Sequence, residues 1–252
     1  MLIRTRVALL AVLAGVVGGG EITVGRQLTP ARSERVAPDF DIRDRNAPIG
    51  GVRTIHAHLP GLSGPGRGSA SDIARRFLAA QGAALLDLDP TDLLTLRPRS
   101  ATVVLSTRLR EIQFDQLVDG VPVFGGSIVV QLAADGRVVG LASSAVSLRD
   151  RLPGGIVDAE EAVRLAAGNL CVELDAFHPT TIAHEAGPEQ RSRMARGPLA
   201  ADPVASLVYF PMNGQLRSAW RVTVQPAGAS APYDVVVDGR SGRILLRRST
   251  RG

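Results

Sequence analysis

The sequence has little of several residue types, and each shortage excludes a class of structure. Its single cysteine, Cys171, excludes an internal disulfide and any zinc or iron–sulfur site built on several thiolates. Aromatic residues make up only 4% of the 252 residues, so the core must be built from valine, leucine, isoleucine and alanine. Lysine is absent, so all 29 basic residues are arginine, and with 24 acidic residues they give a net charge of +5. Hydrophobic residues at 45% are typical of a globular protein.

The arginines follow no pattern typical of nucleic-acid binding. They are scattered along the chain, as at Arg75, Arg76, Arg108 and Arg110. No stripe of arginines alternates with aromatic residues to form a platform on which bases could stack. We therefore interpret the arginines as solvated surface and expect no nucleic-acid partner.

The N-terminus predicts export. Arg4 and Arg6 precede the apolar run Val7–Val17, and three glycines follow it. Eleven residues of helix rise ~17 Å, too little for a bilayer core of about 30 Å. We therefore predict a cleaved signal peptide at residues 1–20 and a secreted, extracellular protein, with an uncleaved membrane anchor as the alternative. No second run is long enough to span a membrane, so no membrane partner is expected after cleavage.

The middle of the chain predicts a helix followed by an antiparallel meander. A helix is expected to begin near Ser69 or Ser71, either of which can cap it. The hydrophobic period then changes to two, in a strand that we expect to begin around Val103 and Leu105. Turn signals flanked by valine and isoleucine separate the following strands, at Asp119–Gly120 and Asp135–Gly136.

The last hundred residues repeat this plan. Asp158 and Glu161 have the spacing of a capping box at the start of a second helix. A polar stretch over residues 177–202 is predicted as a loose loop, and strands with turns at Asn213–Gly214 and Asp238–Gly239 follow. The expected fold class is α+β, with two small modules that each pack a helix on an antiparallel sheet.

Two sets of motifs carry a family resemblance. The segment VDGVPVFGG at 118–126 and the hairpin DGRVVGL at 135–141 resemble the FTP module of fungalysin and thermolysin propeptides. The later AWRVTV at 219–224 and PYDVVVDGRSGRILLR at 232–247 resemble a PepSY-type module. The resemblance implies an FTP-like module at 36–150 and a PepSY-like module at 155–248, each with a cystatin/PepSY-like fold.

The resemblance also implies a function. Prodomains of this family precede a zinc metallopeptidase, assist its folding and inhibit it until they are removed. The peptidase itself needs a helical His-Glu-x-x-His motif, but here His184–Glu185 is followed by Pro188 where the second histidine should stand. We therefore expect no enzyme activity and no cofactor, and a fungalysin-like catalytic domain as the partner, in cis or in trans.

Two other interpretations stay open at this point. The chain could be the N-terminal fragment of a secreted zinc metalloendopeptidase precursor whose catalytic domain is missing here. It could also be a small-ligand or cell-wall binding module, which a large apolar pocket between helix and sheet would favour.

The candidate partner contacts are turns and arginines. We expect contacts at the loop tips and in a charged C-terminal tail, namely at Asp119, Gly120, Asn213, Gly214, Arg247, Arg248 and Arg251. No catalytic, cofactor or metal residue is predicted. His56 and His58 share a strand face but lack a third ligand, and Cys171 lies on the apolar stripe of the second helix and is expected to be buried.

Overall fold

The computed structural model describes residues 40–45, 52–58, 61–148, 154–170, 177–212 and 215–250. The predicted signal peptide at 1–20 lies outside these ranges, as do Cys171, Asn213, Gly214 and Arg251. Within the described ranges, no helix is both long enough and apolar enough to cross a membrane.

The first half of the chain forms an antiparallel sheet with its helices on one side. The strands pair in the order β1-β2-β6-β5-β4-β3. Their bounds are β1 Phe40–Arg45, β2 Val52–Ala57, β3 Leu96–Val104, β4 Leu109–Val118, β5 Val121–Leu132 and β6 Val138–Ser143. Between β2 and β3 lie α1 Ala70–Phe77, a π-helical segment Leu78–Gly82, α2 Ala83–Leu86 and α3 Pro90–Leu93.

Helix α1 begins where the sequence predicts. The Ser69 side chain caps it by accepting a hydrogen bond from the Asp72 backbone N–H at 3.2 Å. Its buried face presents Ile73, Ala74 and Phe77 to a core shared with strands β2, β4, β5 and β6. Burial of this face against the sheet, rather than intrinsic propensity, stabilises a helix this short.

The second half of the chain forms one helix and six strands. Strands β8 to β12 pair antiparallel in chain order, and β7 pairs with β8 at the edge. The elements are α4 Ala159–Asn169, β7 Thr181–His184, β8 Ser192–Met194, β9 Val204–Met212, β10 Gln215–Val224, β11 Tyr233–Asp238 and β12 Ile244–Ser249. Helix α4 packs on one face of these strands. The Trp220 indole N–H donates to the Val157 carbonyl at 2.8 Å and so fixes the segment that leads into the helix.

The two halves share one continuous sheet. Strand β5 pairs in parallel with β9 at Val123 and Tyr209, which joins all the strands into a 12-stranded sheet. Phe124 of β5 packs with Val236 of β11, on the face of the sheet opposite to the one that α4 covers. The mixed α+β class is confirmed, and the division into modules at 36–150 and 155–248 stays a prediction.

Several local predictions need correction. Strand β3 begins at Leu96, and Leu105 lies in the turn after it with 90% of its surface exposed. The Asp158 side chain caps α4 as predicted, but the Glu161 carboxylate binds Arg164 through two 2.6 Å hydrogen bonds. The stretch predicted as a loose loop contains strands β7 and β8.

Candidate partner-binding cleft

The predicted contacts Asp119 and Gly120 form the tight turn between β4 and β5. Both have positive φ angles, of 51° and 82°, as a two-residue hairpin turn requires. The turn is exposed to solvent, but it also lies against the loop that joins β7 to β8. A Cβ added to Gly120 would lie 2.6 Å from Cγ of Pro188. The turn is therefore held in place by a contact with the second half of the chain.

Arg247 and Arg248 lie in strand β12 and not in a C-terminal tail. The Arg247 guanidinium donates to the carbonyl oxygen of Asn169 at 3.0 Å and to its side-chain oxygen at 3.3 Å. Asn169 is the last residue of α4, so this arginine neutralises the negative end of the helix. The structure thus gives Arg247 an intramolecular role at the end of α4.

Arg248 belongs to a cluster centred on the buried carboxylate of Asp234. The Asp234 side chain is 3% exposed, and its Oδ2 accepts hydrogen bonds from Arg221 at 2.7 Å and from Arg248 at 3.2 Å. Thr223 donates to Oδ1 at 3.1 Å. Burial raises the pKa of Asp234, but the hydrogen bonds from Arg221, Arg248 and Thr223 outweigh it, so the net pKa lies below its usual value. The carboxylate is therefore charged at neutral pH and fixes both guanidinium groups.

An aromatic pair supports Arg248 from its other side. The guanidinium carbon of Arg248 lies 5.3 Å from the ring centroid of Phe124, a distance typical of a cation–π contact. The Phe124 ring packs in turn on Phe210, with ring centroids 5.6 Å apart. Phe124 belongs to the motif at 118–126, so this motif positions an arginine of the second half.

These arginines line a polar cleft of about 510 Å³ between the two halves. Arg99 lies on the first half and forms an ion pair with Asp115 at 3.6 Å, and Arg221 and Arg248 lie on the second. The segment Gly125–Ser127 and Glu189 complete part of the lining. Guanidinium groups bind carboxylates through charge-assisted hydrogen bonds, and each of the three arginines already has a carboxylate of this chain within 3.6 Å.

The histidines do not form a metal site with other described residues. Nε2 of His58 lies 3.5 Å from a carboxylate oxygen of Asp41, and Nδ1 of His184 lies 2.9 Å from the Ser192 hydroxyl. In the described ranges, no group of three histidine, cysteine, aspartate or glutamate side chains is placed to hold a metal ion. His184 ends strand β7, so the His184–Glu185 pair is not on a helix.

The contacts predicted from the sequence include Arg248 but not Arg99 or Arg221, which also line the cleft. Each stands in a strand without a local motif, and nothing in the sequence shows that Arg99 and Arg221 face the same space. The Asp234 carboxylate was a weak indication that an arginine lies nearby, because a charged residue in the buried strand β11 needs a charged partner.

Comparison with known proteins gives one family match. No curated protein matches the chain. Among solved structures, the C-terminal domain of Bacillus megaterium YpeB is similar at 10% identity and a TM-score of 0.35, over 87% of this chain and 92% of that chain. The family model of the Fungalysin/Thermolysin Propeptide Motif matches residues 95–145, which hold strands β3 to β6. The resemblance to the PepSY-type module continues to rest on the sequence motifs. Residues 95–145 are therefore identified as a fungalysin/thermolysin propeptide motif.

Proposed function

We propose that the chain is a secreted, non-catalytic propeptide-type protein that binds a fungalysin- or thermolysin-like zinc metallopeptidase, and inhibits it, assists its folding, or both. The observation that carries this proposal is the propeptide motif at 95–145. The same segment contributes Arg99, Asp115 and Phe124 to the arginine cleft or its support.

The cleft presents three arginines as the candidate contacts for an acidic group of the peptidase. Arg221 and Arg248 are already held by Asp234, and Arg248 also lies over the Phe124 ring. Binding therefore costs little side-chain ordering, which favours affinity. Charged groups of this kind also raise the association rate at low salt.

The hairpin turn Asp119–Gly120 lies against Pro188. Its neighbour Pro188 directly precedes Glu189, which lines the cleft. We propose that the turn and the cleft contact the same peptidase. Asn213, Gly214 and Arg251 stay predicted contacts and lie outside the described residues.

The alternative, that these residues are the N-terminal part of a longer precursor, predicts the same contacts within one polypeptide. The two possibilities differ in covalent connection and not in the surface used. The reading frame downstream of Gly252 distinguishes them, because an in-frame His-Glu-x-x-His motif supports a precursor. Mass spectrometry of the exported protein also tests the predicted start near Glu21.

Two assays with the same two proteins test the proposed function. The purified chain is added to an active thermolysin-like peptidase, and casein cleavage is measured. The chain is also added to the same peptidase during refolding from denaturant, and the yield of active enzyme is measured. We expect lower cleavage in the first assay, a higher yield in the second, or both. No effect in either assay, with a folded chain, contradicts the proposal.

A further inference from the structure

A second concave surface lies away from the arginine cleft, between the first helical segments and strand β3. It is a groove of about 720 Å³, a volume typical of small-molecule sites. Its apolar lining comes from the π-helical segment, from α3 and its end, and from the sheet, chiefly through Leu78, Leu93, Leu94, Leu96 and Phe114. This is the apolar pocket between helix and sheet that the binding-module interpretation requires.

The groove exposes apolar surface that the described part of the chain leaves uncovered. Leu94 is 74% exposed, whereas Leu78 and Phe114 at the base are buried. Exposed leucine beside a concave apolar wall marks a place where a ligand can remove apolar area from water.

The charges of the groove have one sign. Arg75 and Arg97 are the charged residues in its lining. Arg97 is held at the groove because it donates to the carbonyl oxygens of Leu94 at 2.8 Å and Leu96 at 3.1 Å. The groove thus combines apolar walls with two cations at its margin.

The carboxylates near the two arginines along the chain have other partners. Asp72, three residues before Arg75 on α1, accepts a hydrogen bond from the Ser69 hydroxyl at 2.6 Å. Asp89 accepts a hydrogen bond from the Thr91 backbone N–H at 2.9 Å, and Asp92 accepts from the Asp89 backbone N–H at 3.0 Å. Asp92 also accepts from the Leu148 backbone N–H at 3.1 Å. These carboxylates cap α1 and α3 and hold the segment after β6, and none of them is among the residues that line the groove.

The adjacent strand edge disfavours an added peptide strand as the occupant. Strand β3 pairs with β4 alone among the described strands, but Pro98 has no backbone N–H to offer beside the groove. A register shift between Pro98 and Ser100 also interrupts the edge. A compact ligand fits this surface better than a continuous strand.

We infer that the groove binds a single-chain anionic amphiphile of the fatty-acid class. The alkyl chain lies along the leucines and Phe114, and the carboxylate meets Arg75 and Arg97. This inference does not depend on the proposed function, because the groove and the arginine cleft share no lining residue.

Calorimetric titration of the purified chain with octanoate, decanoate and dodecanoate, each below its micelle concentration, tests the inference. We expect saturable binding that tightens roughly fourfold per added methylene while the chain still fills the groove. Dodecanol and dodecyltrimethylammonium, which keep the alkyl chain but lack the negative charge, should bind more weakly. Binding to anionic phosphatidylglycerol vesicles is measured as well. This comparison distinguishes a free carboxylate from a membrane surface as the anion that the groove binds.

Matched variants locate the site. Arg75→Gln and Arg97→Gln should each weaken dodecanoate binding roughly two- to fivefold. The control Arg110→Gln removes an exposed arginine outside the groove and should leave binding unchanged. Leu94→Glu should abolish binding, whereas Leu105→Glu, at a leucine that is 90% exposed and outside the groove, should not.

Both leucines are exposed, so circular dichroism should show an unchanged fold for both variants. Absence of saturable dodecanoate binding overturns the inference. So does equal affinity for dodecanol, unchanged binding in the Arg75→Gln/Arg97→Gln double variant, or binding to the vesicles without binding to free dodecanoate.

Discussion

Asp234 is the residue on which the arginine cleft most depends. Replacement by Asn removes the negative charge between Arg221 and Arg248, and we expect the free energy of unfolding at pH 7 to fall by about 2 kcal/mol. Urea unfolding measures this change. The control Asp202→Asn disrupts a mostly exposed pair with Arg193, 3.9 Å apart, and should change stability little.

The lowered pKa of Asp234 leads us to expect that its contribution to stability depends on pH. The folded-state pKa of Asp234 lies below the unfolded value of about 3.9. Its charge therefore stabilises the fold above that value, and the contribution is lost as the pH falls through the folded-state pKa. The stability difference between the parent chain and Asp234→Asn should shrink from pH 7 toward pH 2. A difference that stays constant over this range contradicts the assignment.

Gly120 has a specific conformational requirement, because its φ is positive. Gly120→Ala places a Cβ at a φ of 82° and against Pro188, so we expect a loss of about 1–2 kcal/mol in unfolding free energy. Gly64→Ala is the control, because a Cβ there would have no neighbour within 4 Å. If the two variants are equally stable, the turn does not pack on the β7–β8 loop as described.

At the scale of elements, Gln116 attaches the segment after β6 to the sheet. It is fully buried, donates to the Val146 carbonyl at 2.8 Å and accepts from the Val146 N–H at 3.0 Å. Gln116→Ala should cost about 2 kcal/mol and accelerate hydrogen exchange at the Val146 amide. Gln113→Ala, on the same strand, is the control. Unchanged exchange at Val146 would show that other contacts hold this segment.

The elements that the sequence predicted well are those with local causes. The Ser69 cap and the Asp119–Gly120 and Asp135–Gly136 turns follow from side-chain and backbone preferences within a few residues. Strand β3 was misplaced because its side chains are almost all exposed and therefore show no alternation. Strands β7 and β8 are four and three residues long, and β7 is exposed throughout, so hydrophobic periodicity could not reveal them.

At the scale of the whole molecule, the cleft arises from the join between β5 and β9. Arg99, Arg221 and Arg248 come from strands far apart in the chain, and only the folded sheet brings them to one cleft. Periodicity reports which face of a strand is buried but not which strands become neighbours. Of the three arginines that line the cleft, only Arg248 was a candidate contact in the sequence analysis, where it was expected in a C-terminal tail.

The central claim is that this surface binds a thermolysin-like peptidase. Its most direct test is a titration of the peptidase catalytic domain with the purified chain, at low and at moderate salt. The account predicts saturable binding that weakens with salt, and that weakens roughly fivefold further in Arg99→Ala but not in the control Arg110→Ala. No binding at either salt concentration, with a folded chain and an active peptidase, would contradict it.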